Sequence, residues 1–227
     1  MNIISHYGYS VIARIFPTII GLIPFFIFQY VFLGNFIHID SILVSVTGNI
    51  SLSTILVYAF NQYFVRLPSK IFEDYLFKKQ LHFPTTNFLM FSDKEYTTDL
   101  KNAVRKSVLQ DFSIVMPDKT MEKRNENEAR KRIKEAVRLI IGKVKDGYLV
   151  LQHNIEYGFV RNLWGASLVG MLGSLMLIRF AYPDSVLEKI GEYLFSLYLL
   201  YTVFGFMVIK YFGRAYARKL IEEYCKV

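Results

Sequence analysis

The chain of 227 residues contains a single cysteine, Cys225. One thiol cannot form an internal disulfide, and a cysteine-based zinc cage needs several thiolates close together. The sequence therefore predicts a fold that is held together without covalent cross-links. We expect Cys225 to be an ordinary thiol near the carboxyl end of the chain.

Patterns that mark common enzyme sites are also missing. The sequence has no phosphate-binding loop, no G-x-G-x-x-G, no G-x-S-x-G and no H-E-x-x-H. Its four histidines are too scattered to predict a metal site: His6, His38, His82 and His153. These absences predict a protein that is not an enzyme and that needs neither a metal nor an organic cofactor.

Charged side chains are absent from four long apolar stretches, residues 15–33, 41–65, 162–178 and 193–209. A helix rises 1.5 Å per residue, so the first two can cross a hydrocarbon core of about 30 Å. The last two are near the short end of the spanning range, and flanking aromatic residues extend them into the interface. The sequence predicts an all-α integral membrane protein with four transmembrane helices.

The region between the second and third stretches is basic. Residues 66–161 contain 19 Lys and Arg against 13 Asp and Glu, whereas the short connections 34–40 and 182–192 are mainly acidic. Cytoplasmic segments are enriched in Lys and Arg, and anionic inner-leaflet lipids attract such cations. We expect a multi-pass protein of the bacterial inner (plasma) membrane, in contact with membrane lipids, with both termini in the cytoplasm.

This topology divides the chain into three regions. Residues 1–65 form an N-terminal transmembrane hairpin, 66–161 a cytosolic basic module, and 162–227 a C-terminal transmembrane hairpin with a cytosolic tail. Apolar periodicity predicts a mainly helical module, with helices over Pro68–Gln80, Asp99–Phe112 and Glu122–Lys145. The residues from His82 to Thr86 should end the first of these helices and separate it from the second.

The second apolar stretch carries a stripe of polar side chains. Its members recur every four residues and so lie close to one line on a helix: Ser41, Ser45, Asn49 and Ser53. A polar face on a spanning helix must meet other helices or water. One interpretation is hydrogen bonding between helices, and the other is the wall of a water-filled pore made by several copies of the chain.

The first and third stretches carry signals for helix geometry. Pro17 and Pro24 remove backbone donors and predict a kink or a local break in the first span. In the third, Ala166, Gly170 and Ser174 follow a small-xxx-small spacing that allows the backbone of another helix to approach closely. We expect this stripe to be a packing surface.

The last helix of the module has one strongly cationic side. Four of its cations are candidates for an anion-binding site, because guanidinium groups suit phosphate: Arg130, Arg132, Lys134 and Arg138. The ligand would be a lipid headgroup or a phosphate-bearing molecule. The alternative is a solvated face with ion pairs between residues four apart, since acids are interleaved with the cations.

A dense polar and aromatic segment joins the module to the third span. Its candidate coupling residues, which would pass movement of the module into the membrane helices, are Asn154, Glu156, Tyr157, Arg161 and Asn162. The alternative is that Arg161 and Asn162 anchor the interface while Tyr157 and Phe159 pack on the module. The sequence leaves both interpretations open.

Three short motifs in this region carry a resemblance: Tyr157-Gly158-Phe159, Arg161-Asn162-Leu163 and Pro84-Thr85-Thr86. With the four-span architecture, they resemble bacterial membrane effectors of anti-phage defence operons of the Hailong or cyclic-oligonucleotide type. This resemblance implies a membrane channel controlled by a nucleotidyltransferase or by its oligonucleotide product. It covers the architecture and these motifs, not the whole chain.

The sequence thus predicts a homo-oligomeric membrane pore gated by its cytosolic module, and the resemblance implies that it acts as an abortive-infection effector. Several copies are needed because four helices enclose too little space for water. The main alternative is a membrane anchor or scaffold whose module recruits a soluble partner. A membrane enzyme acting on lipid is the least favoured alternative.

Overall fold

A computed structural model describes residues 8–33 and 50–226, apart from residues 52 and 56. These residues form helices joined by short turns, and no strand occurs among them. The predicted all-α class is confirmed for this part of the chain.

The first helix, α1, covers Gly8–Phe32. Two π-helical turns, Val11–Ile15 and Gln29–Leu33, flank its central α-helical part, Phe16–Phe28. The described part of α2 is residues 50–76, in which a π-helical turn, Phe60–Val65, leads into Arg66–Leu76. The remaining helices are α3 (Pro84–Leu89), α4 (Thr98–Phe112), α5 (Lys119–Arg124), α6 (Glu126–Val144), α7 (Tyr148–Phe180) and α8 (Val186–Tyr224).

Among the described residues, three helices are long and apolar enough to cross a membrane: α1, α7 and α8. Four spans were predicted, and the one that differs is the second, residues 41–65. Its first nine residues lie outside the described part, and the 16 that remain would rise only about 24 Å. The structure therefore supports three candidate spans rather than four.

The predicted third and fourth spans lie inside much longer helices. α7 begins at Tyr148, well before residue 162, and α8 covers Val186–Tyr224 rather than 193–209. A charge-free window marks only the most apolar part of a helix, because α-helical geometry continues into flanks that carry charge. Residue 161, predicted as the end of the module, consequently lies within α7.

The described residues divide into two compact units. One, here called the polar unit, contains Glu73–Tyr157 and the described part of Ile209–Val227. The other, the apolar unit, contains Gly158–Val208 and the described part of His6–Phe72. The division predicted from topology, with boundaries at residues 65 and 161, stays a prediction.

Within the polar unit, the helix expected over Asp99–Phe112 is confirmed as α4. The helix expected over Glu122–Lys145 is instead two helices, because Asn125 leaves the helical conformation and its side chain accepts from the Glu128 amide at 3.1 Å. All six apolar positions expected to face the core are buried in α6: Ala129, Ile133, Ala136, Val137, Ile140 and Val144.

Two predicted boundaries at the start of the polar unit are wrong. The helix expected to reach Gln80 ends at Leu76, because Lys78, Lys79 and Gln80 all have positive φ and turn the chain out of the helix. The expected break at His82–Thr86 contains the start of α3, with Pro84 in its first turn, where the missing N–H costs nothing.

Candidate functional site

The apolar unit is built around α7, which has small residues on the sides that meet its neighbours. Leu22 of α1, Val65 of α2, and Ala166 and Val169 of α7 form a buried cluster. A Cβ atom built on Gly21 would lie 2.5 Å from the Ala166 carbonyl oxygen, so only glycine fits at this crossing. Close backbone approach therefore holds α1 against α7.

The stripe predicted for packing contacts more than one helix. Ala166 meets Gly21 of α1, whereas Gly170 lies under the ring of Tyr198 in α8. Ser174 is fully buried and donates its hydroxyl to the Gly170 carbonyl at 2.7 Å. The structure thus places all three predicted residues inside the apolar unit, where they allow both α1 and α8 to approach α7.

Each proline of α1 leaves a backbone carbonyl without its usual donor, and a side chain supplies one in each case. In a regular helix the Ala13 carbonyl accepts from residue 17, which is proline; here the Asn162 side-chain amide donates to it at 2.6 Å. Likewise the Ile20 carbonyl, opposite Pro24, accepts from the Tyr198 hydroxyl at 2.5 Å. Asn162 and Tyr198 therefore stabilise the two proline-interrupted turns of α1.

A cavity of about 880 Å³ lies between α1 and the described part of α2. Its polar lining is concentrated on α2, where Ser53, Thr54, Asn61 and Gln62 face it. The other lining residues are Ser10, Arg14, Ile15, Ile19, Phe26, Ile50, Val57, Tyr58 and Arg66. We call this cavity the α1–α2 groove.

Hydrogen bonds and a cation–π contact organise the arginine-containing part of the groove. The Thr18 hydroxyl lies 2.9 Å from the Arg14 carbonyl and 3.3 Å from the Asn61 side-chain oxygen, so it links α1 to α2. The Arg66 guanidinium donates to the Gln62 side-chain oxygen at 2.7 Å, and the Arg14 guanidinium lies 5.1 Å from the centre of the Tyr9 ring. Arg14 and Arg66 both line the groove.

Of the four residues predicted to line a pore, the structure describes only Ser53, and it lines the α1–α2 groove. Ser41, Ser45 and Asn49 lie outside the described residues. Asn61 and Gln62 were not singled out from the sequence. The four-residue spacing does continue from Ser53 through Val57 to Asn61, so extending the stripe would have found Asn61.

The predicted anion-binding residues lie in the polar unit, and three have intrachain partners. Arg130 donates to the Glu126 carboxylate at 2.7 Å, the Asn87 side chain at 2.6 Å and the Leu81 carbonyl at 3.2 Å. Lys134 donates to the Lys79 carbonyl at 3.0 Å, and Arg132 pairs with Glu128 at 3.4 Å. Arg138 is exposed on the same helix.

The contacts of Arg130 and Lys134 follow from a turn at Lys78–Gln80, whose backbone has positive φ. The chain turns there, and two carbonyls near the turn, those of Lys79 and Leu81, accept from side chains one helical turn apart on α6. Hydrogen bonding by Arg130 lowers the pKa of Glu126. Arg130 and Lys134 therefore stabilise a turn, and the anion-binding role of the cationic face stays a prediction.

The predicted coupling residues all lie in α7, and their role in coupling stays a prediction. In the polar unit, the Tyr157 hydroxyl donates to the buried Glu73 carboxylate at 2.5 Å, and its ring stacks on Tyr216. Glu156 accepts from Gln152 at 3.2 Å and lies 3.0 Å from a ring nitrogen of His153, while Asn154 is half-buried. In the apolar unit, Arg161 is half-buried and Asn162 holds α1.

A buried ion pair in the polar unit was not predicted. Arg105 donates to Glu122 at 3.1 Å and to the Leu89 and Pro117 carbonyls, while Glu122 also accepts from the Phe91 amide at 2.8 Å. Burial raises the pKa of Glu122 and lowers that of Arg105. Each charge is compensated by several hydrogen bonds, so the pair connects α4 and α5 to the segment after α3.

Within the described ranges, no group of three or more His, Cys, Asp or Glu side chains could hold a metal ion. Comparisons with protein-family models, with curated proteins and with solved structures found no match for this chain. The case for a function consequently depends on the geometry of the α1–α2 groove.

Proposed function

We propose that several copies of this chain assemble into a membrane pore whose wall includes the polar side of α2. The observation that carries the proposal is the α1–α2 groove, where Ser53, Thr54, Asn61 and Gln62 of α2 line the space between α1 and α2. Polar side chains are tolerated within the membrane where they hydrogen-bond to other protein groups or contact water. A water-filled path between subunits would provide hydrogen bonds to these side chains.

The surface of α2 supports assembly. Tyr58 is 73% exposed and Tyr63 67% exposed on its described part. In this proposal α2 also crosses the membrane, and a spanning helix with both polar and large aromatic side chains uncovered has surface for a second subunit as well as for lipid. Association of α2 helices around an axis would cover the aromatic rings and bring the polar groups together.

Gating by the polar unit is part of the proposal, and α1 is the element that would respond. Its two interrupted turns are each stabilised by one side chain from another helix, Asn162 or Tyr198. Breaking one such bond costs far less than unfolding a regular helix turn, because few backbone bonds are involved. A small shift of α7 would therefore change the conformation of these two turns of α1 beside the groove.

The biological role we propose is abortive infection at the bacterial inner membrane, in answer to a nucleotide or oligonucleotide made by a nucleotidyltransferase partner. Its support is the resemblance carried by Tyr157-Gly158-Phe159, Arg161-Asn162-Leu163 and Pro84-Thr85-Thr86. Among the predicted anion-binding residues, exposed Arg138 is the one on which ligand contact is simplest to test.

Planar-bilayer recording of the purified full chain tests the pore. We expect discrete conductance steps, and we expect Asn61→Leu to reduce them because it removes a polar group from the groove. Ser196→Leu is the matched control, since Ser196 is an exposed polar residue of α8 outside the groove. A chain that never conducts, alone or with short oligonucleotides, would favour a membrane anchor or scaffold for a soluble partner.

A further inference from the structure

The α1–α2 groove has two chemically different kinds of lining. Two arginines, Arg14 and Arg66, line it together with hydrophilic side chains such as Ser10 and Gln62. The rest of the lining is mainly hydrocarbon, from residues such as Ile19, Phe26 and Val57, with Ser53 and Thr54 beside them. This combination fits an amphiphile that has an anionic head and an apolar tail.

The length of α1 along the groove separates its charged and apolar lining residues. Thr18 contacts Asn61, and Phe25 packs on Phe60 with ring centroids 5.4 Å apart, so α1 lies against α2 over this length. From Arg14 to Phe26 is 12 residues, which is about 18 Å of helix. One leaflet of a hydrocarbon core is about 15 Å thick. The groove therefore has the length of one acyl chain region.

The charge of the groove selects the head group. Arg14 and Arg66 contribute two positive charges, and the lining residues that the structure describes include no Asp or Glu. Guanidinium groups bind phosphate through paired N–H donors. In the predicted topology, Arg14 and Arg66 directly flank the cytoplasmic ends of the first two predicted spans, 15–33 and 41–65, where anionic lipid headgroups are found.

We propose that the α1–α2 groove binds one anionic phospholipid. Its phosphate lies between Arg14 and Arg66, and an acyl chain extends along Ile19 and Val57 towards Phe26. A free oligonucleotide is a poor occupant, since it would leave these apolar walls without a partner. This site exists within a single chain, so its test does not need the pore. A lipid in the groove would cover Ser53 and Asn61, which the proposed pore exposes to water, so the two occupancies are alternatives.

Native mass spectrometry of the delipidated full chain in detergent tests the proposal. The probes are phosphatidylglycerol, phosphatidylcholine with the same acyl chains, and glycerol phosphate, which carries the phosphate without the chains. We expect one phosphatidylglycerol adduct, favoured at least about five-fold over phosphatidylcholine because about 1 kcal/mol accompanies each cation near an anionic headgroup. Glycerol phosphate at the same concentration should not displace it.

Variants test the contributions of charge and of shape separately. The double variant Arg14→Gln with Arg66→Gln should lose the preference for phosphatidylglycerol over phosphatidylcholine, whereas Arg14→Lys with Arg66→Lys should keep most of it. Arg179→Gln is the matched control, since Arg179 is an exposed cation of α7 outside the groove. Val57→Trp keeps both arginines but fills the groove, so it should weaken the binding of both lipids.

Three results would overturn the proposal. They are equal binding of the two lipids by the unmodified chain, an unchanged preference in the double glutamine variant, and displacement by glycerol phosphate alone. The first and third are measured on the unmodified chain, so they hold even where a variant fails to fold. None of these measurements involves conductance, so the failure of the lipid site and the failure of the pore are distinguishable.

Discussion

The side-chain amide of Asn162 donates to the backbone carbonyl of Ala13 across 149 positions of sequence, at 2.6 Å. Pro17 explains why this carbonyl is available, because proline has no N–H to donate to it. Asn162 is almost completely buried and its own side-chain oxygen has no hydrogen-bond partner. The bond therefore gives the Ala13 carbonyl a donor, but it leaves the buried side-chain oxygen of Asn162 without a hydrogen bond.

A mutant cycle tests this relationship. Asn162→Leu should lower the free energy of unfolding by about 1 kcal/mol, since it leaves the Ala13 carbonyl without a donor but also removes the unpartnered amide oxygen. In a Pro17→Ala background, residue 17 can donate to Ala13, so the same substitution should cost less. Denaturant unfolding in detergent measures all four proteins; equal costs in both backgrounds would refute the pairing.

Two glycines form a matched pair for the close approach of α1 and α7. Gly21→Ala should destabilise the protein by about 1–3 kcal/mol, because the added Cβ meets the Ala166 backbone, which cannot yield as a flexible side chain would. Gly142, in α6, has open space around its Cβ position. Gly142→Ala should stabilise by about 0.5–1 kcal/mol through helix propensity. Thermal unfolding distinguishes the two, and destabilisation by both would contradict the packing.

The cationic face of α6 offers a comparison between a structural and an exposed arginine. Arg130→Met should cost about 1–3 kcal/mol, since the Leu81 carbonyl and the Asn87 side chain lose their donor. Arg138→Met should change stability by less than about 0.5 kcal/mol. If the cationic face of α6 binds an oligonucleotide, Arg138→Met should weaken that binding even though it leaves stability unchanged. An unchanged affinity for the oligonucleotide, measured by fluorescence anisotropy, would show that Arg138 is not part of an anion site.

The pKa of Glu126 gives a pH dependence with a defined sign. Hydrogen bonding from Arg130 lowers this pKa in the folded protein, so folding favours the ionised carboxylate. Its contribution to stability is therefore present above the ordinary value of 4.5 and is lost as the pH falls through the lowered value. The effect is below about 1 kcal/mol because Glu126 is exposed. Glu126→Gln should remove this part of the pH dependence, and an unchanged profile would contradict it.

Local patterns predicted much of the fold. The apolar stripe of α6 identified all six core residues, since a helix with one buried face repeats every three or four residues. The bounds of α4 were also close, with Thr97 as its N-cap. The ends of α7 and α8 were missed, because hydropathy records where a helix is apolar and not where its backbone bonds stop.

The contacts of the candidate site depend on distant parts of the chain. Pro17 marks Ala13 as a carbonyl without a donor, but nothing near it in sequence identifies Asn162 as the replacement. Arg130 belonged to a cationic pattern, yet its partners arise from a left-handed turn some fifty residues earlier in the chain. Charged residues are usually on the surface, so the buried pair of Arg105 and Glu122 could not be read from periodicity.

The most direct test of the proposed pore is thiol modification during bilayer recording. The chain has one cysteine, so Cys225→Ser gives a thiol-free background in which Ser53→Cys and Leu200→Cys can be compared. Ser53 lines the groove, whereas Leu200 is exposed on α8 outside it. A charged, water-soluble thiol reagent should change the conductance of the Ser53→Cys protein and leave that of Leu200→Cys unaltered. No change at Ser53, or an equal change at both positions, would contradict a pore wall that includes the polar side of α2.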